Sequence, residues 1–143
     1  MLKKTNSSLY CLSKLRSFHV NQKMLQIFYL SVIHSILSFG ITCWGGNLTQ
    51  ADVDKINRLI RKAGNIIGVD LDNFKLMLNF KTVNKMKCIL KDISHPMFDN
   101  FKCLKSDKSD RYRVPKFRTK RYGNSFLPSA IRLFNSNVRK LRF

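Results

Sequence analysis

Carboxylates are the first residues to test for chemistry, since two-metal nucleotidyl transfer and general acid–base work both need them in reach of one another. This chain of 143 residues has eight, all Asp, and no Glu. The closest are Asp52 with Asp54 and Asp70 with Asp72. Asp52 and Asp54 lie two apart at a helix start, so they point in different directions. Asp70 and Asp72 flank a loop, where helix capping accounts for them. The sequence contains no adjacent Asp pair, no G-x-x-x-x-G-K-[ST] and no G-x-S-x-G. Nothing singles out a Ser/His/Asp site, and no catalytic residue is assigned. Cys11, Cys43, Cys88 and Cys103 form no C-x-x-C, and adding His19, His34 and His95 produces no common zinc spacing. Cys11 and Cys43 sit in apolar stretches and read as small core residues. No metal, cofactor or disulfide framework is expected, and the compartment is a reducing one, nuclear or cytoplasmic.

Phosphate recognition is the chemistry the residues do support. Lys and Arg number 27 against the 8 acids, for a net charge of +19 and a pI near 10.3. Self-repulsion on that scale destabilises a compact chain unless a polyanion offsets it. The charge is uneven. Residues 1–48 carry five basic residues and no acid, residues 49–110 hold all eight Asp, and residues 111–143 carry ten basic residues and no acid. The segment Arg111–Tyr122 (RYRVPKFRTKRY) alternates cations with Tyr112, Phe117 and Tyr122 around Pro115. Guanidinium and ammonium groups pair with phosphates, and rings stack on unpaired bases. An extended segment presenting both suits single-stranded or looped nucleic acid. The plain alternative is a solvated basic loop whose rings cover the core.

These groups must be held by helices. Asn6-Ser7-Ser8 offer caps before a stripe of Leu9, Leu12, Leu15 and Phe18. Asn21 is a second cap. Thr49 caps a helix whose apolar face is Val53, Ile56, Leu59, Ile60, Ala63, Ile66 and Ile67, with Lys55, Arg58, Arg61 and Lys62 opposite and Gly68 as its stop. Asp72-Asn73 opens another, with Leu76, Val83, Met86, Ile89, Leu90 and Ile93 inward. It has room for a kink near Asn79–Thr82 and an end at His95-Pro96. Ser125, Pro128, Ala130, Ile131, Leu133 and Phe134 mark a short helix before a basic tail, Asn135–Phe143.

Met24–Trp44 carries no charge and is long enough to span a membrane. Ser31, Ser35, Ser38 and Thr42 nonetheless fall on one side of a regular helix, opposite Leu25, Phe28, Val32, Ile36 and Phe39. A span facing lipid all round has no need of that stripe, so a buried helix is expected and a membrane is not. No signal peptide is evident at the N-terminus.

Four blocks carry a resemblance. LYCLSKLRSF with MLQIFYLSVIHSILSFGITCWGGN (within residues 9–47), KINRLIRKAGNIIG (55–68), LKDISHPMF (90–98) and RYRVPKFRTKRYGNSFLPSAIRLFNS (111–136) resemble, in order and spacing, the region after the palm in non-LTR, LINE-type (jockey-like) retrotransposon reverse transcriptases. The resemblance covers essentially the whole chain. It implies a thumb-like helix bundle followed by a basic segment. The family's metal-binding aspartates lie upstream, and its aromatic-x-Asp-Asp motif has no counterpart here. It also implies template–primer contact by Lys23, Arg58, Arg61 and Lys62, and by Arg113, Lys116, Arg118, Arg121 and Tyr122 in the closing segment. Trp44-Gly45-Gly46 matches a structural turn.

The expected fold is therefore all-α: a three- to four-helix bundle over residues 1–98, a linker over 99–110, and a basic, partly extended C-terminal arm with one short helix over 111–143. The expected function is that of a reverse transcriptase fragment without its catalytic palm, not an enzyme by itself. It would bind RNA or DNA with little regard to sequence, and the missing palm and fingers of the parent polymerase are the other expected partner. A small basic single-span membrane protein, or a degenerate reading frame without selected function, are the alternatives.

Overall fold

The computed structural model describes residues 2–140, with side chains as far as residue 136. The chain is all-α. Among the described residues there is no strand, and one isolated antiparallel bridge joins Lys105 to Tyr112. Two compact units form: Met1–Ile41 with Leu48–Met77, and Thr42–Asn47 with Leu78–Phe143. Each is assembled from two separate stretches of sequence, a pairing that no scan for linkers along the chain can detect.

The first unit begins with α1 (Leu2–Ser17), which starts before the expected caps. Ser7 and Ser8 lie inside it, and their hydroxyls donate to the carbonyls of Lys3 and Lys4 at 3.3 and 3.0 Å. Serine can satisfy itself in this way within a helix, so its presence did not mark a terminus. Leu9 and Leu12 are buried with Thr5, whereas Phe18, past the helix end, is 75% exposed. His19 takes a positive φ of 57° there and turns the chain away from the helical path.

Asn21 caps the next helix, accepting from the Lys23 N–H at 3.0 Å. The run is continuous through α2 (Gln22–Phe28), a π-helical turn (Tyr29–His34) and α3 (Ser35–Ser38). Its buried residues are Leu25, Tyr29, Ile33 and Leu37, each four residues after the last, and Ile41, next in that spacing, opens the short α4 (Ile41–Trp44) beyond the break at Phe39. In a regular α-helix that spacing drifts about 40° per step. The wider i→i+5 turn underwinds the run and holds the row nearer one line. The expected inward row assumed regular winding and is corrected accordingly: Leu25 is buried, Phe28, Val32 and Ile36 are half-buried, and Phe39 is 83% exposed. Phe39 leaves the helix with ψ 118°, and Gly40 follows at φ 58°, which swings the ring outward. Ser31 and Ser35 are exposed and Ser38 half-buried.

By length and composition the helical run Gln22–Asn47 is apolar enough to cross a membrane, with a mean hydropathy of 1.7. A core helix passes the same test; this one packs one row against α1 and against α5 (Gln50–Ile67), with 28% of its most apolar window buried, so the expectation of a buried helix holds for that row alone. In α5, Thr49 caps the start, its Oγ1 accepting from the Asp52 N–H at 3.2 Å. Gly68 ends the helix in the left-handed region at φ 81°. Ile56, Leu59, Ile60, Ala63 and Ile67 are buried, the inward face expected from spacing.

Helix α6 (Phe74–Lys91) runs unbroken through the stretch where a kink was expected. Asn73 accepts from Leu76 N–H and Asn57 from Phe74 N–H, both at 2.9 Å, so α6 is anchored to α5 at its first turn. Phe74, Met77, Met86 and Ile89 are buried, while Leu76 is 53% and Ile93 80% exposed. Apolar residues occur on more than one face of α6, so periodicity alone selected the wrong ones at its two ends. The helix stops at Lys91, ahead of His95-Pro96, where Asp92 accepts from the Ser94 N–H at 3.0 Å and turns the chain.

In the second unit, residues 99–110 are not simply a linker. They open with most of α7 (Phe98–Leu104), whose Phe101 is fully buried among Met86, Ile89, Ala130 and Ile131. Sparse hydrophobicity hid this helix, because one aromatic ring does most of its packing. Helix α9 (Phe126–Lys140) extends well past Phe134, so residues 135–140, expected as tail, are helical. The remainder of that tail, residues 141–143, lies outside the described residues.

Candidate nucleic-acid interface

In the first unit the cations stand on the side of α5 opposite its core face. Burying Ile56, Leu59, Ile60 and Ala63 leaves Lys55, Arg58, Arg61 and Lys62 exposed. Lys55 pairs with Asp52 at 3.4 Å. The Thr49 hydroxyl, and after it the Lys55 ammonium, hold the Asp52 carboxyl below the usual carboxylate range by hydrogen bonding its charged form. Arg58, Arg61 and Lys62 form no ion pair among the described residues. Lys23 is also exposed. Its neighbour Gln22 donates to the carbonyls of Ile67 and Gly68, both at 3.2 Å, and so ties the start of α2 to the end of α5. Arg58, Arg61 and Lys62 lie about one to three turns back along that helix. The first unit thus brings four of the expected residues onto α5 and its close neighbour.

The second unit holds the other five. Residues 111–119 hold no helix, only the bridge at Tyr112 and a bend at Arg118 and Thr119, and residues 120–123 form a single helical turn, α8 (Lys120–Gly123), capped by Thr119. This turn corrects the reading that extended structure reaches Tyr122. The arm is strapped to the helices behind it. The side-chain amide of Asn135 meets both backbone groups of Tyr112, accepting from its N–H at 3.0 Å and donating to its carbonyl at 2.8 Å. The Tyr112 ring meets Phe101 and Phe134 edge-on, with centroids 6.3 and 5.5 Å apart. Burial, and then the Asp110 carboxylate, push its phenol above the usual range. Arg132 lies over the Phe117 ring, 5.8 Å from its centroid, and donates to the Gly123 carbonyl. A Cβ on Gly123 would stand 2.6 Å from the Phe117 ring, so a side chain there would have to displace that ring. A Cβ on Gly46 would stand 2.1 Å from the Asn124 carbonyl oxygen, which gives the Trp44-Gly45-Gly46 turn its structural role.

The three rings of the arm therefore differ in role. Tyr112 is packed, Phe117 is 45% exposed with Arg132 over its ring and Gly123 beside it, and Tyr122 is 42% exposed on α8. Arg113, Lys116, Arg118 and Arg121 are all exposed. Arg113 makes one long ion pair, 3.7 Å to an Asp107 that is itself open to solvent, a geometry of little energetic weight. Lys120 joins this surface and was missed, although it stands in the same basic run. Arg132 and Asn135 position the arm and were also missed. Their role depends on which backbone α9 faces, for which the sequence carries no signal.

Among the described residues, no three His, Cys or Asp side chains gather where they could hold a metal ion. All four cysteines are exposed, which corrects the expectation that Cys11 and Cys43 are core residues. No family model, curated protein or solved structure matches this chain.

Proposed function

We propose that this chain binds RNA or DNA through phosphate contacts, as the thumb and basic C-terminal region of a LINE-type retrotransposon reverse transcriptase without its palm. The observation that carries the reading is uncompensated, outward-facing charge. Against 27 Lys and Arg, the described residues form two ion pairs, both at exposed positions. Lys23, Arg58, Arg61 and Lys62 in one unit, and Arg113, Lys116, Arg118 and Arg121 in the other, present their charge to solvent. Phosphate contacts position a polynucleotide without reading its sequence. Tyr122 adds a ring on which any base can stack. The four sequence blocks that resemble the retrotransposon family support the assignment of origin, as does the all-α fold.

The test is anisotropy with labelled oligonucleotides of unrelated sequence, alongside a primer-extension assay. Affinity should vary little among sequences of equal length, and primer extension should be absent, since no Asp pair is placed to hold two cations. Strong preference for one sequence, or template-dependent incorporation by the pure chain, would contradict the proposal.

A further inference from the structure

We propose that the cavity between α5 and the start of α6 is a seat for a phosphate monoester: the terminal phosphate of a polynucleotide strand or of a free nucleotide. The inference deepens the nucleic-acid reading and rests on it. The cavity, ≈ 350 Å³, lies within the first unit, and Arg58 and Arg61 line it. Neither arginine forms an ion pair among the described residues. Asn57 and Asn73 line it too, and their carbonyl oxygens are already engaged by the N–H groups of Phe74 and Leu76. The NH₂ of each amide remains as a donor. Guanidinium groups are also donors only.

The residues lining the wall therefore carry two guanidinium groups and two amide NH₂ groups. The one acidic residue there is Asp54, whose Oδ1 already accepts from the Gln50 amide at 2.9 Å. Two fixed positive charges against one carboxylate leave the wall net positive, which favours an anion. Two arginines match the charge of a phosphate monoester, about −2 near neutral pH, better than the single charge of a diester. The buried Ile60 and the half-buried Leu71 add apolar wall, and the doubly charged group that two arginines match stands at the end of a strand and not along it.

The probe is one labelled oligonucleotide in two forms, 5′-phosphorylated and 5′-hydroxyl, bound to the full chain. Their affinity ratio is the readout. The wild type should favour the phosphorylated form about tenfold, the scale of one charge-assisted hydrogen bond. The double variant Arg58→Gln/Arg61→Gln should bring the ratio to one. Lys62→Gln, on the same helix outside the cavity, should weaken both forms equally and keep the ratio. Asp54→Asn removes the opposing charge and should raise it, a gain that misfolding cannot produce. A saturable isotherm with a nucleoside 5′-monophosphate alone would assign the seat to free nucleotides as well. A preference seen only with the oligonucleotide would assign it to strand ends. Equal binding of the two forms by the wild type, or an unchanged ratio in the double variant, would overturn the seat while leaving sequence-tolerant binding intact. Failure of both forms to bind would instead overturn the reading beneath it.

Discussion

Gly46 and Tyr122 show how differently single residues serve this surface. At Gly46, an added Cβ meets backbone, the Asn124 carbonyl oxygen, and not a side chain that could rotate aside. Gly46→Ala should therefore cost about 1–3 kcal/mol, the range for overpacking, and lower the melting temperature without changing affinity at temperatures where the chain stays folded. Tyr122 is the opposite case. Its ring is 42% exposed, and its backbone, not its hydroxyl, holds the local turn through Thr119 and Ser125. Tyr122→Ala should weaken single-strand binding by about 1–3 kcal/mol while the melting temperature stays nearly constant. A loss of melting temperature with unchanged affinity would make the ring a packing residue instead. The proposed site residues stand out in the sequence because cations and an aromatic ring declare their chemistry by type, and the structure shows them exposed. The glycine contacts were not, because a close approach between distant backbones leaves no mark on either sequence.

At the scale of elements, caps and stops read well where one strong local signal decides them. Asn21, Thr49 and Gly68 each do at their helix ends what their chemistry dictates. The α5 face was legible for a similar reason: its apolar and charged residues separate cleanly. The long apolar helix was not. Its inward row advances by four because a π-turn underwinds it, and a regular period chose its neighbours instead. The correction changes which substitution matters. Ile33 is fully buried, so Ile33→Asp should destabilise by about 4–5 kcal/mol, the cost of an unpaired charge in a core. Ser35→Asp on the exposed side should stay within about 0.5 kcal/mol. Denaturant melts of the two variants decide the point, and equal effects would refute the inward row. Residues 99–110 failed for another reason. Phe101 alone supplies the burial that makes α7 a helix, and one ring among polar residues has no period.

Across the whole molecule, charge governs more than packing does. Ten basic residues and no acid stand in residues 111–143, and the described part of that segment is strapped down by Asn135, Arg132 and Gly123. On the proposed reading, cations held in place in this way would meet a strand with little ordering left to lose on binding. The all-α class was legible from periodicity alone. The assembly of each unit from two sequence stretches was not, since contacts between distant segments set it.

The central claim, that phosphate contacts from the basic arm dominate binding, is tested most directly by the salt dependence of single-strand affinity. For about five contacts, the plot of log affinity against log salt should fall with a slope of about −3 to −4. Replacing Arg113, Arg118 and Arg121 together by Gln should flatten that slope by about 2. A triple variant with unchanged affinity and unchanged slope would contradict the account and remove the arm from the binding surface.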